Sequence, residues 1–336
     1  MIKYRKERDT MGIVEVPCDA LWGAQTQRSL NNFKIGEEKI PIEIIYAIAI
    51  VKKAAAITNR KLGVLDDNKS KLIVNVCDEI ISGKHNSQFP LSVWQTGSGT
   101  QTNMNVNEVI ANRCHVLVGG KIDDEKKYIH PNDDVNKGQS SNDVFPTAMN
   151  IATYFLLVEQ LLPALLKFRD ISRVKSEEFK DIIKIGRTHL MDAVPMTLGQ
   201  EFSAFYQQID YIIEDIKYSL NHLSELPIGG TAVGTGLNTV KDFDKEVIKE
   251  INEITKYNFK VAKNKFEGIS TSDSINRVSS MLKKCAASLM KIANDIKLLA
   301  SGPRCGLSEI ILPENEPGSS IMPGKVNPTQ CEAMTM

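Results

Sequence analysis

Paired cysteines are missing from this sequence. Cys18, Cys77, Cys114, Cys285, Cys305 and Cys331 are scattered without a CxxC pair. That argues against a disulfide frame and a zinc site, and it suits reduced thiols. Histidine is scarce too, five residues set far apart, so no metal-ligating constellation is visible. Neither sign of charge dominates: Lys+Arg and Asp+Glu both number 41. No sustained basic tract offers the footprint of nucleic-acid binding. No apolar run comes near the ~20 residues a membrane span needs. The N-terminus, MIKYRKERDT, is charged where a secretory signal carries an apolar core. These absences predict a soluble protein of a reducing compartment, the cytoplasm or, in a eukaryote, the mitochondrial matrix, without nucleic-acid or membrane partners.

What is present is helical periodicity. At 336 residues the chain is long enough for two domains. PIEIIYAIAIVKKAAAITNRKLG has Pro41 near a helix start and Gly63 just past its end, both favoured positions. Phe202, Phe205, Ile209, Ile213, Ile216, Leu220 and Leu223 recur at steps of three or four, as do Leu282, Cys285, Leu289, Ile292, Ile296 and Leu299. Each series is a one-sided apolar stripe of the kind that packs in a bundle. A third long helix is expected from about Pro146 to Lys180, interrupted at Pro163. Strand-like alternation is rare and short. The reading is a mostly α protein of long antiparallel helices, with a smaller N-terminal domain over 1–139 and a helical-bundle domain over 140–336.

Between the helices lie segments dense in Gly, Ser, Thr, Asn and Pro. Ser98 and Thr100, in GSGT, suit either a plain helix-capping loop or a carboxylate site, because hydroxyls and backbone N–H groups at a helix start serve both. Asn103, Asn105 and Asn107 are poor helix formers that need partners when buried; a polar pocket or a network between helices would supply them. His130-Pro-Asn132-Asp133 and Ser140-Ser141-Asn142-Asp143 read as turns with N-caps or as ligand-binding loops. Thr188-His189 precedes Pro195. The glycines of PIGGTAVGTGLNT, 227–239, follow no strand at the spacing of a dinucleotide fingerprint. In GSSIMPGKVNP, 318–328, Gly and Pro permit a mobile or tightly turned loop. Ser319, Ser320, Lys325 and Asn327 there offer hydroxyls, a charge and an amide to an anion. Glu332 follows one turn into a helix, placed to hold a base such as a histidine.

SSNDVFPTA, GRTHLMDA and GSSIMPGKVNPTQCEA together make the chain resemble class II fumarate hydratases of the fumarase/aspartase superfamily, and the similarity runs along essentially the whole sequence. Aspartate ammonia-lyases, the alternative within the superfamily, carry Gln at the position of His189 and Ala at that of Gly324, so the chain follows the fumarase pattern.

The resemblance implies reversible hydration of fumarate to L-malate through an aci-carboxylate carbanion, with no cofactor and no metal. Ser319 is implied as the base at carbon, although an older assignment uses His189 through a water. His189, polarised by Glu332, would handle the proton of water. Ser98, Thr100, Ser140, Ser141, Asn142, Thr188, Ser320, Lys325 and Asn327 would bind the small dicarboxylate, and His130, Asn132 and Asp133 an accessory carboxylate site. A homotetramer sharing a central bundle is implied, each site drawing on three chains. Family members continue well beyond the position of Met336. The expectation is therefore a chain truncated before its last long bundle helix, without the small C-terminal domain and with weak or no activity. A non-catalytic, self-associating fragment is the reading outside enzymes.

Overall fold

The computed structural model describes residues 3–336. In chain order the elements begin β1 (Tyr4–Asp9), β2 (Gly12–Pro17), α1 (Ala24–Asn32), α2 (Ile42–Lys61), α3 (Asp67–Ile81), α4 (Thr100–Leu117) and α5 (Ser141–Phe155). They continue with α6 (Leu162–Glu178), β3 (Ile183–Thr188), β4 (Met191–Thr197), α7 (Leu198–Leu223), β5 (Glu225–Leu226) and α8 (Phe243–Thr255). Last come β6 (Lys260–Val261), α9 (Lys265–Ser270), α10 (Asp273–Leu299) and α11 (Thr329–Thr335). The protein is mostly helical, as its periodicity predicts. Its strands form three two-stranded sheets among the described residues: antiparallel β1-β2 and β3-β4, and parallel β5-β6. By contacts the chain divides into two compact units, Met1–Leu156 with Leu220–Ile275, and Leu157–Ser219 with Asn276–Met336.

In the first unit α2 is the central element, packed by α3, α4, α5 and α8. It is apolar nearly all round, which is the pattern of a buried helix. Ile45, Ile48, Val51, Ala54 and Ala55 are essentially inaccessible, each large side chain contributing roughly 1.5–3 kcal/mol on burial. The alanines let neighbouring helices come close. Pro41 stands at the N-cap and Gly63 follows the last turn at φ +75°, the left-handed geometry that glycine adopts without cost. Arg60 and Lys61 in the last turn complement the helix dipole.

α4 carries the buried amides. Asn103 and Asn107 both donate to Asn136 Oδ1 at 3.2 Å, and Asn105 donates to the carbonyl of Gln88 at 3.1 Å. These asparagines therefore form a network between segments of the core. Glu108, on the same helix, is fully buried and receives the backbone N–H groups of Gly23, Gln25 and Thr26 together with the Thr26 hydroxyl. It supplies the cap that α1 lacks in its own sequence, placing an anion at a helix N-terminus. Burial pushes its carboxyl upward, and those four donors oppose the shift.

In the second unit α7 buries Phe205, Ile209, Ile212, Ile213 and Ile216, and α10 buries Met281, Cys285, Ile292 and Leu299. Leu282, expected in the α10 stripe, is 41 % exposed, and Met281 is buried instead. A step of one residue turns a side chain by about 100° around the helix. Tyr211, Tyr218, Met290 and Leu298 also remain exposed.

The helix expected from Pro146 begins earlier, at Ser141, with Pro146 inside its second turn. The interruption expected at Pro163 falls just before it, as a π-helical turn over Leu156–Leu161. A proline ring cannot pack against the carbonyl four residues back, and widening the preceding turn relieves that clash. The run Ser141–Glu178 is long and apolar enough to cross a membrane by length and composition, contrary to the expectation from sequence. Polar residues such as Asn150 and Thr153 break up its apolar stretches, so no single block stands out. Much of its apolar window is left uncovered by the chain itself.

Candidate active site

In the first unit two helices start side by side at the sequence motifs. α4 begins at Thr100 after Gly99, which sits at φ +63° and gives no side-chain cap. A Cβ on Gly99 would lie 2.1 Å from the Phe145 ring, so only glycine fits. α5 begins at Ser141 behind a capping box. Ser140 Oγ accepts the N–H of Asn142 at 3.2 Å, and Asp143 Oδ1 accepts the N–H of Ser140 at 2.9 Å. Capping thus uses the Ser140 hydroxyl oxygen as an acceptor.

The two helix starts are joined through hydroxyls. Thr96 Oγ1 and Ser98 Oγ lie 3.1 Å apart, Ser98 Oγ and Thr100 Oγ1 3.0 Å, and Thr100 Oγ1 and Ser141 Oγ 2.9 Å. All but the half-buried Ser141 are exposed. A cluster of hydroxyls where two positive helix ends converge is an anion cradle on electrostatic grounds. Ser98 and Asn142 also line a cavity of about 350 Å³, together with Ser270, Thr271 and Ser272. Thr96, Ser270, Thr271 and Ser272 escape sequence reading, because nothing local distinguishes them from ordinary loop residues.

His130, Asn132 and Asp133 lie on a short π-helical turn, where His130 Nδ1 accepts the Asp133 N–H at 3.2 Å. Asn132 and Asp133 line an open depression of about 540 Å³ that is also walled by Asn136, Lys137 and Asn238. His130 does not line it.

In the second unit His189 is at the tip of the β3-β4 hairpin. Thr188 pairs with Met191, leaving His189 and Leu190 as a two-residue turn with φ +55° and +64°. Such turns favour Asn-Gly. Two bulky residues there store strain of the kind found at functional sites. The hairpin stem is tied down by charge. Arg187 Nη1 reaches Glu309 Oε1 at 2.6 Å, Lys184 Nζ reaches Glu309 Oε2 at 2.5 Å, and Lys184 also pairs with Glu201. Arg187 holds the Glu309 carboxyl below its ordinary range, with Lys184 adding to the effect. Lys184, Arg187, His189 and Glu201 line a cavity of about 350 Å³.

The segment 318–328 closes on itself. Gly318 N–H donates to Lys325 O at 3.0 Å, and Asn327 Nδ2 donates to Gly318 O at 2.7 Å. A Cβ on Gly318 would lie 2.2 Å from Lys325 O, so the neck of the loop requires glycine. Asn327 therefore spends a donor on the loop itself. Ser319 Oγ accepts the N–H of Ile321 at 3.3 Å. Ser320 and Lys325 are exposed, and Lys325 forms no ion pair with any described side chain. Glu332, in α11, is exposed, and no hydrogen bond joins it to His189 among the described residues.

Residues 12–336 match the family model described as lyase. A class II fumarate hydratase from Haemophilus ducreyi is 60 % identical over 336 residues, which is 100 % of this chain and 72 % of that protein. Its counterpart from Pasteurella multocida is 59 % identical over 334 residues, 99 % of this chain and 72 % of the relative. The crystal structure of recombinant class II fumarase from Schistosoma mansoni superposes with a TM-score of 0.96 at 45 % identity, covering 99 % of this chain and 73 % of that one. Fold, motifs and relatives agree: the chain belongs to the class II fumarate hydratase family of lyases.

Proposed function

We propose that this chain catalyses the reversible hydration of fumarate to L-malate, with the three motif segments as its site. The observation that carries the reading is the hydroxyl run at the convergent starts of α4 and α5. Of the protons on Thr96, Ser98, Thr100 and Ser141, one is directed to Gln101 Oε1 and the rest are shared along the run. A substrate carboxylate would draw those protons to itself. Asn142, Thr188, Ser320, Lys325 and Asn327 complete the donor set, with Ser140 acting through its cap.

In the dehydration direction, from L-malate to fumarate, Ser319 removes the proton from the carbon beside one carboxylate. The electron pair moves into that carboxylate, giving the dianionic aci form, which Lys325 and the amide and hydroxyl donors stabilise. Each preorganised donor contributes about 2.7–4 kcal/mol. The pair then returns to form the double bond as the hydroxyl leaves, and His189 donates the proton that turns it into water. Hydration is the reverse. Glu332 would orient His189 in the assembled enzyme. Because its carboxylate meets no side-chain partner among the described residues, we expect this polypeptide alone to turn over weakly. His130, Asn132 and Asp133 form the accessory carboxylate site of this reading.

A homotetramer in aqueous cytoplasm fits the uncovered apolar positions Ile171, Val174, Tyr211, Tyr218 and Met290, since a partner helix would take such side chains out of water. We keep 1–139 and 140–336 as the family-type division of the chain, distinct from the contact-based units. Fumarate absorbance, followed from L-malate with L-aspartate as control, tests the assignment. Fumarate from malate alone is expected. Fumarate from aspartate would favour the ammonia-lyase alternative, and silence with both substrates would reject the assignment.

A further inference from the structure

The glycine-rich segment 227–239 is not used by the proposed chemistry, yet it is bound to the α5 motif by one buried side chain. Asp143 is completely inaccessible. Its Oδ2 accepts the N–H groups of Gly229 at 3.0 Å and Thr231 at 2.9 Å, while Oδ1 accepts that of Ser140 at 2.9 Å. Next to it, Asn142 Nδ2 donates to Ala232 O at 2.9 Å. Gly229 and Thr231 have φ +85° and +58°, so the turn presents its N–H groups to a single anion. For threonine that backbone is strained and persists only where its surroundings impose it. On the other side of the motif, fully buried Lys52 donates to Asn136 Oδ1 at 2.7 Å, and Asn136 Nδ2 donates to Gln139 O at 3.1 Å. The stretch 136–143 is thus held at both ends from inside the core.

We propose that Asp143 is a positioning residue: by stapling the start of α5 to the 229–232 turn it aims Ser141 and Asn142 at a dicarboxylate, making that turn part of the site's frame. The inference deepens the fumarate reading and rests on it. Its logic is local. Three backbone N–H groups favour the ionised form of the carboxylate that receives them, whereas burial pushes Asp143 up to about 6. Those N–H groups oppose the shift, Lys52 adds to their effect, and Lys52 is itself drawn down to about 7 by burial. Asparagine at 143 would turn an NH₂ group toward N–H donors, releasing either the turn or Ser140. Displacements of about 1 Å in a catalytic frame cost about 100-fold in rate.

The test is equilibrium binding of succinate, a dicarboxylate with no double bond to hydrate, to the full 336-residue chain by calorimetry. Asp143→Asn is expected to weaken Kd about tenfold or more and to accelerate amide exchange at Gly229 and Thr231. A purely structural role would lower Tm and the binding-competent fraction while leaving Kd unchanged, and that result overturns the proposal. Ser141→Ala separates the two readings. If it weakens succinate while Asp143→Asn does not, positioning alone fails. If wild type does not bind succinate, or Ser141→Ala matches it, the cradle reading fails and takes this inference with it. Should Asp143→Asn not fold, amide exchange of the wild type decides. Slower exchange at Gly229 and Thr231 under saturating succinate supports the staple, and unchanged exchange overturns it.

Discussion

Ser98, Thr100 and Ser141 stand on two helix starts that buried groups anchor from beneath, whereas Ser319, Ser320 and Lys325 stand on a loop that closes only on itself. Both regions use the same residue types. Their supports differ: Asp143 and Lys52 are buried beside the α5 start and Thr102, bonded to Gln95, is buried at the α4 start, while the 318–328 loop is secured at its neck by one side-chain bond and one backbone bond. Elements with few buried contacts open at low free energy, which suits groups that must close over substrate. Groups that recognise a carboxylate gain from being set in place beforehand. The contrast suggests a division between a rigid cradle that binds and a looser loop that reacts.

Substitution of Ser319 probes that division most directly. Ser319→Ala is expected to lower kcat by about 10³-fold, within the range for a lost proton-transfer group, while KM for malate moves little. A parallel rise in KM would show that the loop also binds the ground state and would collapse the contrast.

Lys52 tests the buried side. Its folded pKa, drawn down to about 7, lies below the ordinary 10.5. Between those values the unfolded chain holds a proton that the folded chain has released, so stability rises with pH across that window. Below pH 7 both states are protonated and the penalty for burying the charge is constant. Urea unfolding at pH 7 and 9.5 should show wild type gaining about 3 kcal/mol from this group, a gain absent from Lys52→Met. Equal slopes in the two proteins would mean that Lys52 is not a buried charge.

The smallest effect is expected at the hairpin carrying His189. Glu309→Gln removes the negative partner of Arg187 and Lys184 and should lower kcat about tenfold, within the reach of small misplacements, with little change in succinate affinity. Weaker succinate binding would tie the hairpin to recognition and blur the two regions.

Motif residues were legible in the sequence because their types are unusual together: serines, a lysine and an asparagine inside a segment of Gly and Pro, or His189 after Thr188. Their supports were not, because support comes from distant parts of the chain. Glu108 caps a helix more than eighty residues earlier, and Asp143 reaches Gly229 from 86 positions away. The Ser140 cap was legible in the SSND pattern, since a capping box is local. The earlier start at Ser141 and the π turn before Pro163 were not, since tertiary packing decides how a helix absorbs a proline.

By itself, then, the sequence determined the helical class, the apolar stripe of α7, most of that of α10 and the family, because periodicity and motif chemistry are local properties. Only the tertiary structure decided that two helix starts share one hydroxyl run, that Asn103, Asn107 and Lys52 converge on Asn136, that His189 occupies a strained turn, and that Asp143 joins the glycine-rich segment to the start of α5. Each of those depends on long-range contacts, which place buried polar groups where their hydrogen bonds can be met.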